Sequence, residues 1–163
     1  MADPKPSSSN RAAIAAIALA LAIPAEGLRR VAYYDPPKVL TVCYGHTGKD
    51  VDAQKVYSLD ECRVLLDKDM NDAIDQVERC VPGLPAPVLG AFADATYNLG
   101  GKIVCDTKNS TAARMLKAGD LVGACNQLPR WDKAVVGGVL VSLPGLTKRR
   151  ANEKEVCLTG VSQ

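Results

Sequence analysis

Glu26-Gly27-Leu28-Arg29-Arg30-Val31-Ala32-Tyr33-Tyr34-Asp35, followed beyond Pro36-Pro37 by Thr41-Val42-Cys43-Tyr44-Gly45-His46-Thr47-Gly48, is where this chain changes its periodicity. Upstream, residues 12–25 form an uncharged, alanine-rich apolar run of helical character. From Val31 to Gly48 the composition shifts to Tyr, Val and Thr, with Pro36-Pro37 and Gly45 as turn signals, which predicts a small antiparallel β region built around a hairpin. Ser58 followed by Glu61 is a capping box. It opens a helix whose apolar residues Leu59, Cys62, Leu65, Leu66, Ala73, Ile74 and Val77 return at three- and four-residue intervals. About 20 residues at 1.5 Å each give a rod of roughly 30 Å, long enough to join two lobes. Val81-Pro82-Gly83 stops it. From Pro85 to Leu158 the pattern predicts shorter helices, broken at Leu99-Gly100-Gly101, Gly119-Asp120, Gly137-Gly138 and Pro144-Gly145. The fold expected is therefore α+β and predominantly helical: a small β-containing lobe at about 26–58, a connecting helix at about 59–80 and a larger helical lobe at about 82–160. A substrate cleft belongs between the lobes.

Glu26 and Asp35 are separated by eight residues, and Asp35 and Thr41 by five. Two carboxylates held near such a helix-to-strand junction are what hydrolysis of a glycosidic bond requires. One is protonated and delivers its proton to the leaving oxygen; the other is ionised and activates water or stabilises positive charge. Spacing alone is weak, since the chain has 18 acidic residues and most carboxylates are solvated surface groups.

The surrounding residues sharpen this. The quoted stretch closely resembles the active-site region of the T4-lysozyme-like muramidases of phage, glycoside hydrolase family 24. Further matches follow in the family's order: Phe92-Ala93-Asp94-Ala95-Thr96-Tyr97-Asn98-Leu99-Gly100, Ser110-Thr111 before Met115 to Asp120, Arg130-Trp131, and Gly145 to Glu153. The resemblance covers about residues 26 to 158. It implies a lysozyme-like fold and an endolysin that cuts the β-1,4 bond between N-acetylmuramic acid and N-acetylglucosamine in peptidoglycan for host cell lysis. It also implies Glu26 as general acid, and Asp35 with Thr41 positioning or activating water in an inverting reaction. No cofactor or metal is implied, the expected partner is the peptidoglycan glycan strand, and a monomer is expected. A lytic transglycosylase would attack the same bond with the same kind of acid. A wall-binding accessory domain without turnover is a rival of another class, against which the intact Glu26, Asp35 and Thr41 speak.

At 163 residues the chain suits one domain with room for two lobes, in which 47% hydrophobic residues but only 4% aromatics leave the core to aliphatic packing. A net charge of +2 and the lack of basic runs interleaved with aromatics argue against a nucleic-acid partner. The local cluster Lys148, Arg149, Arg150 and Lys154 reads either as an attractor for an anionic polymer or as a solvated helix face balanced by Glu153 and Glu155. Asn98, Arg130 and Trp131 are candidates for structural or cleft roles, and Arg149-Arg150 with Glu153 looks first like an ion-paired helix and second like a substrate contact. Six cysteines, none in CxxC pairs, point to disulfides in an oxidising compartment. Fifteen pairings are open, and the resemblance suggests Cys43 with Cys62, Cys80 with Cys105 and Cys125 with Cys157. His46 is the lone histidine, so sites needing two imidazoles are excluded. It reads as a structural residue of the hairpin, or else as the base of a Cys43 thiol nucleophile in a peptidase, although a regular strand would point the two to opposite faces.

Residues 1–25 allow three readings: a cleaved signal peptide with an Ala20-Leu21-Ala22 site, an alanine-rich helix packed on the globule, or a signal-arrest-release segment like those of some phage endolysins. The third is favoured, because the run is short and alanine-diluted for a stable span and adjoins Glu26 directly. It implies export to the periplasm with transient tethering to the inner membrane, and a catalytic domain over residues 26–163.

Overall fold

The computed structural model describes residues 8–161; residues 1–7 of the expected export segment, Ser7 among them, lie outside the described residues, as do 162–163. The apolar run forms helix α1 (Ser8–Ala25). Its residues Ile14, Ala18 and Ala22, at four-residue steps, are buried in the same core as Phe92 and Ala95 of helix α3 (Ala86–Leu99). Small residues let the two helices approach closely. A Cβ on Gly90 would stand 2.6 Å from Ile17 Cγ2 and 2.9 Å from its Cβ, so a larger residue there would displace α1. Arg11 ties the other end of α1 to helix α2 (Leu59–Cys80) through Asp75 at 2.8 Å and Glu78 at 3.2 Å. Among the described residues no helix is long and apolar enough to cross a membrane.

After α1 the chain forms an antiparallel sheet of β1 (Arg29–Tyr34), β2 (Leu40–Cys43) and β3 (His46–Thr47), in that order. Arg29 pairs with Cys43 and Tyr33 with Thr41, so β1 bulges between these pairs, a device that bends a strand and re-aims its side chains. Val42, Cys43 and Tyr44 join Tyr57, Cys62 and Leu66 in a second, smaller core. This is the expected small lobe.

The capping box at Ser58 is present in both directions: its hydroxyl accepts from Glu61 N at 3.1 Å, and its N–H donates to Glu61 at 2.8 Å. Helix α2 has 22 residues, about 33 Å at 1.5 Å per residue. Its buried face is Cys62, Leu66, Met70, Ala73, Ile74 and Val77. Leu59, expected on that face, is 47% exposed: it lies in the first turn, before the helix reaches either core.

The helical lobe continues through α3, α4 (Lys102–Cys105), α5 (Thr111–Ala118), α6 (Leu121–Gln127), a 3-10 turn at Leu128–Trp131 and α7 (Pro144–Thr159). One expectation here is corrected. Gly137-Gly138 does not break a helix; it turns a second hairpin, β4 (Lys133–Val136) with β5 (Val139–Ser142). Both glycines take positive φ, 56° and 81°, the conformation a tight two-residue hairpin turn demands. Pro144 likewise opens α7 rather than ending a helix, since its missing N–H falls in the first turn. All three disulfides are those suggested by the resemblance: Cys43–Cys62, Cys80–Cys105 and Cys125–Cys157.

Candidate active site

The last hydrogen bond of α1 runs from Glu26 N to Ala22 O at 2.9 Å, so the helix delivers Glu26 to the mouth of the sheet. Its carboxylate is met by Arg149 of α7, Nη1 to Oε1 at 2.5 Å, and is 22% exposed. Arg29 and Arg30, adjacent in sequence, turn elsewhere: Arg29 lies over the Tyr33 ring at 4.3 Å and Arg30 Nε donates to Tyr57 O at 2.6 Å. The cation on Glu26 thus comes from 123 residues downstream.

Arg149 is itself held from behind. Its Nε and Nη2 donate to the two oxygens of Asp94 on α3 at 3.1 and 2.6 Å, a bidentate geometry that fixes the guanidinium plane. Burial lowers the guanidinium's pKa, but the bonds and charges of Asp94 and Glu26 outweigh it and hold Arg149 above its ordinary value. Arg150 bonds Asn98 at 2.9 Å and lies 2.8 Å from Glu153. Of the sequence readings of these two arginines, the ion-paired helix with Glu153 is the one present; both are buried ion-pair partners rather than a patch or a solvated face. Asp94 has no role in the sequence reading of the Phe92–Gly100 stretch. The available signal was a carboxylate inside an otherwise apolar helix, which needs a buried cation.

At the other end of β1, Asp35 closes a tight turn. Its Oδ1 accepts from Val39 N at 2.9 Å and its N–H donates to Val39 O at 3.1 Å. Thr41, on central strand β2 and buried, places its hydroxyl 3.0 Å from Val39 O and 3.4 Å from Asp35 Oδ2. The structure therefore brings Asp35 and Thr41 together directly, with Glu26 on the far side of the β1 bulge.

A groove of about 400 Å³ runs between the lobes, floored by Asp69, Asp72, Ala73, Gln76 and Arg79 of α2 and walled by Gly45 and Thr47 on one side and Thr96 and Tyr97 on the other. Glu26, Asp35 and Thr41 do not line this volume themselves. Glu26 adjoins it through Gly45, where a Cβ would stand 3.8 Å from both Glu26 Oε2 and Tyr97 Oη. Gly45 also has φ +88°, a left-handed conformation that favours glycine. Tyr97 donates its hydroxyl to Tyr44 O, tying α3 to the β2–β3 turn, and burial together with the Glu26 charge keeps that phenol protonated, its pKa raised.

His46 has the structural place read for it. Nδ1 lies 2.7 Å from Asp69 of α2 and Nε2 3.1 Å from Asp50. Burial lowers its pKa, but the bonds and charges of the two aspartates prevail and raise it. The thiol nucleophile is excluded because Cys43 is bonded to Cys62. No regular strand joins the two residues, since Tyr44-Gly45 turn the chain between them. Arg130 is exposed and Trp131 packs at the edge of the large core.

Residues 24–153 match the phage lysozyme family. A SAR-endolysin of Bacteriophage PS119 is 41% identical over 136 residues, which cover 83% of this chain and 77% of that protein. The crystal structure of the active form of P1 phage endolysin Lyz shares the fold with a TM-score of 0.75 at 25% identity, covering 90% of this chain and 85% of that one. The secreted inactive form of the same endolysin reaches 0.52 at 23% identity, covering 71% and 78%. A helix-borne glutamate beside an interlobe groove, a turn aspartate bridged to a strand threonine, and a match across most of the sequence converge on one assignment: the chain belongs to the phage lysozyme family.

Proposed function

We propose that Glu26 protonates the leaving glycosidic oxygen while Asp35 and Thr41 hold and activate the attacking water. The protein is a muramidase, a glycoside hydrolase that lyses host peptidoglycan, and these residue roles are our reading of how it cuts the β-1,4 bond between N-acetylmuramic acid and N-acetylglucosamine. The observation that carries them is the pairing of Asp35 with the Thr41 hydroxyl on one side of the β1 bulge and Glu26 beside the groove on the other. A carboxylate and a hydroxyl sharing a site suit a bound water, and water attack opposite the acid gives inversion. Glu26→Gln should abolish release of reducing ends from purified peptidoglycan with an unchanged circular dichroism spectrum; continued release would refute the assignment. Mass spectrometry of the products separates hydrolysis, which adds water, from transglycosylation, which leaves an anhydro ring.

The enzyme is further read as exported and held at the inner membrane by its N-terminal segment until release. Kinship with a SAR-endolysin supports this, as does a physical constraint. Glu26 is bonded to the last turn of α1, so a bilayer that held α1 would keep the acid from Arg149 and Gly45. Only when Ile14, Ala18 and Ala22 enter the core is the site complete. A protein lacking residues 1–25 that still pelleted with membranes would argue against the tether.

A further inference from the structure

Glu153 lies on α7 one turn beyond Arg149, and none of its side chain reaches solvent. Its Oε1 stands 2.8 Å from Arg150 Nη2 and 3.8 Å from Arg149 Nε, yet neither of its oxygens receives a well-directed N–H; the carboxyl's hydrogen-bond partner is Asp94, to which it can donate only when protonated, and Arg150 Nε and Nη1 are without a partner. The groups facing Glu153 are Asp94 from α3 and Arg149 and Arg150 from α7. Arg149 in turn joins Asp94 to Glu26, and Tyr97, next along α3, is a neutral hydroxyl. Two guanidiniums thus serve three carboxyls.

With Glu26 and Asp94 ionised, the cluster is already neutral. A third buried negative charge would be uncompensated and would carry its full desolvation penalty. Burial first, and then the hydrogen bond its protonated form gives Asp94, push the Glu153 carboxyl up to about 10. If Glu26 instead carries a proton, as a general acid must before it acts, Arg149 loses one of its anions. Glu153 is then the group within reach of Arg149 Nε whose ionisation restores neutrality.

We propose that Glu26 and Glu153 share one proton across the Arg149–Asp94 clamp, which makes Glu153 a positioning residue for the acid. Glu153 holds the proton while Glu26 is ionised and paired with Arg149; it releases one to solvent through local opening as Glu26 takes one up. No proton passes through the guanidinium, and the cluster keeps the same charge throughout. The proposal rests on Glu26 being the acid.

Glu153→Gln preserves the volume and the neutral form but cannot ionise. Assayed on soluble glycan strands, it should fold normally and keep KM within about twofold while kcat falls about tenfold, the factor that one pKa unit represents, with a displaced pH profile. Glu153→Asp, which still ionises, should recover part of the loss. An unchanged kcat and pH profile in Glu153→Gln would mean a merely structural residue and overturn the proposal. Carbon-13 NMR of the glutamate carboxyls gives a readout that needs no activity. In Glu26→Gln, where position 26 is permanently neutral, Glu153 should titrate at lower pH than in the unaltered protein; identical titration would overturn the sharing even if Glu153→Gln failed to fold. Failure of the acid assignment shows separately, as an active Glu26→Gln.

Discussion

The described residues form two small antiparallel sheets of similar local chemistry and opposite fate. In β1–β2–β3, strand β2 has Thr41, Val42 and Cys43 buried, and the strands are fastened to α2 by the Cys43–Cys62 bridge and the His46–Asp69 contact. In β4–β5, Val135 and Leu140 face each other across the ladder at 70% and 62% exposure, and Val136 and Val139 at the tip are exposed as well. The base of this hairpin is anchored by Asp132, which accepts from Ser142 and Thr147 at 3.2 and 2.7 Å. A strand's β-branched residues make it a strand in both cases. What differs is whether a helix lies behind it, and catalytic side chains can be held to a useful tolerance only where one does.

Substitutions can break this contrast. The largest effect is expected at Gly45, where a valine would force a β-branched residue into left-handed backbone and crowd Glu26 and Tyr97. Gly45→Val should lower kcat/KM by about a hundredfold, the scale of a 1 Å misplacement near the chemistry, in a reducing-end assay. A smaller effect, with a pH signature, is expected where β3 meets α2. Because the His46 pKa is raised in the folded state, its stabilisation is fully present below the unfolded value of 6.5 and is lost as pH rises through the folded value. Asp69→Asn should therefore cost about 1.5 to 3 kcal/mol in urea unfolding at acidic pH, the range for bonds to charged groups, and less once the imidazole is neutral. A penalty that grew with pH would contradict the assignment. The smallest effect belongs to the exposed hairpin. Replacing Val135, Val136, Val139 and Leu140 together by threonine should change unfolding free energy by only about 0.5 kcal/mol, leaving the β propensity intact. A loss several times larger would show that this hairpin, too, is covered.

The parts of the fold that were legible are those whose causes are local. Ser58 and Glu61 cap α2 from three residues apart, and the Tyr, Val and Thr run with its turn signals made the first sheet. Met70 escaped the helix-face reading although it completes the buried stripe. The second hairpin was missed although Val135-Val136-Gly137-Gly138-Val139 carries a hairpin's turn residues, because a diglycine also reads as a helix breaker amid helices. The opposite errors at Gly137 and Pro144 share a cause: both residues punctuate the chain, and neither says what lies on each side.

At the site, Glu26, Asp35 and Thr41 could be named from their order along the chain and the resemblance that order carries. The partners that surround them could not. Asp94 meets Arg149 across 55 residues and Glu26 meets it across 123, distances over which a charge pattern has no period to reveal it.

By itself, then, the amino-acid order determined the first sheet and the capped connecting helix, because each depends on neighbours a few positions away, and the resemblance it carries named the candidate acid, base and hydroxyl. Tertiary structure alone decided which cation faces Glu26, that Asp94 holds that cation from behind, and that one hairpin is backed by a helix while the other stands in water. Burial sets the strength of charge interactions and the worth of apolar contact, and burial exists only once the helices have packed.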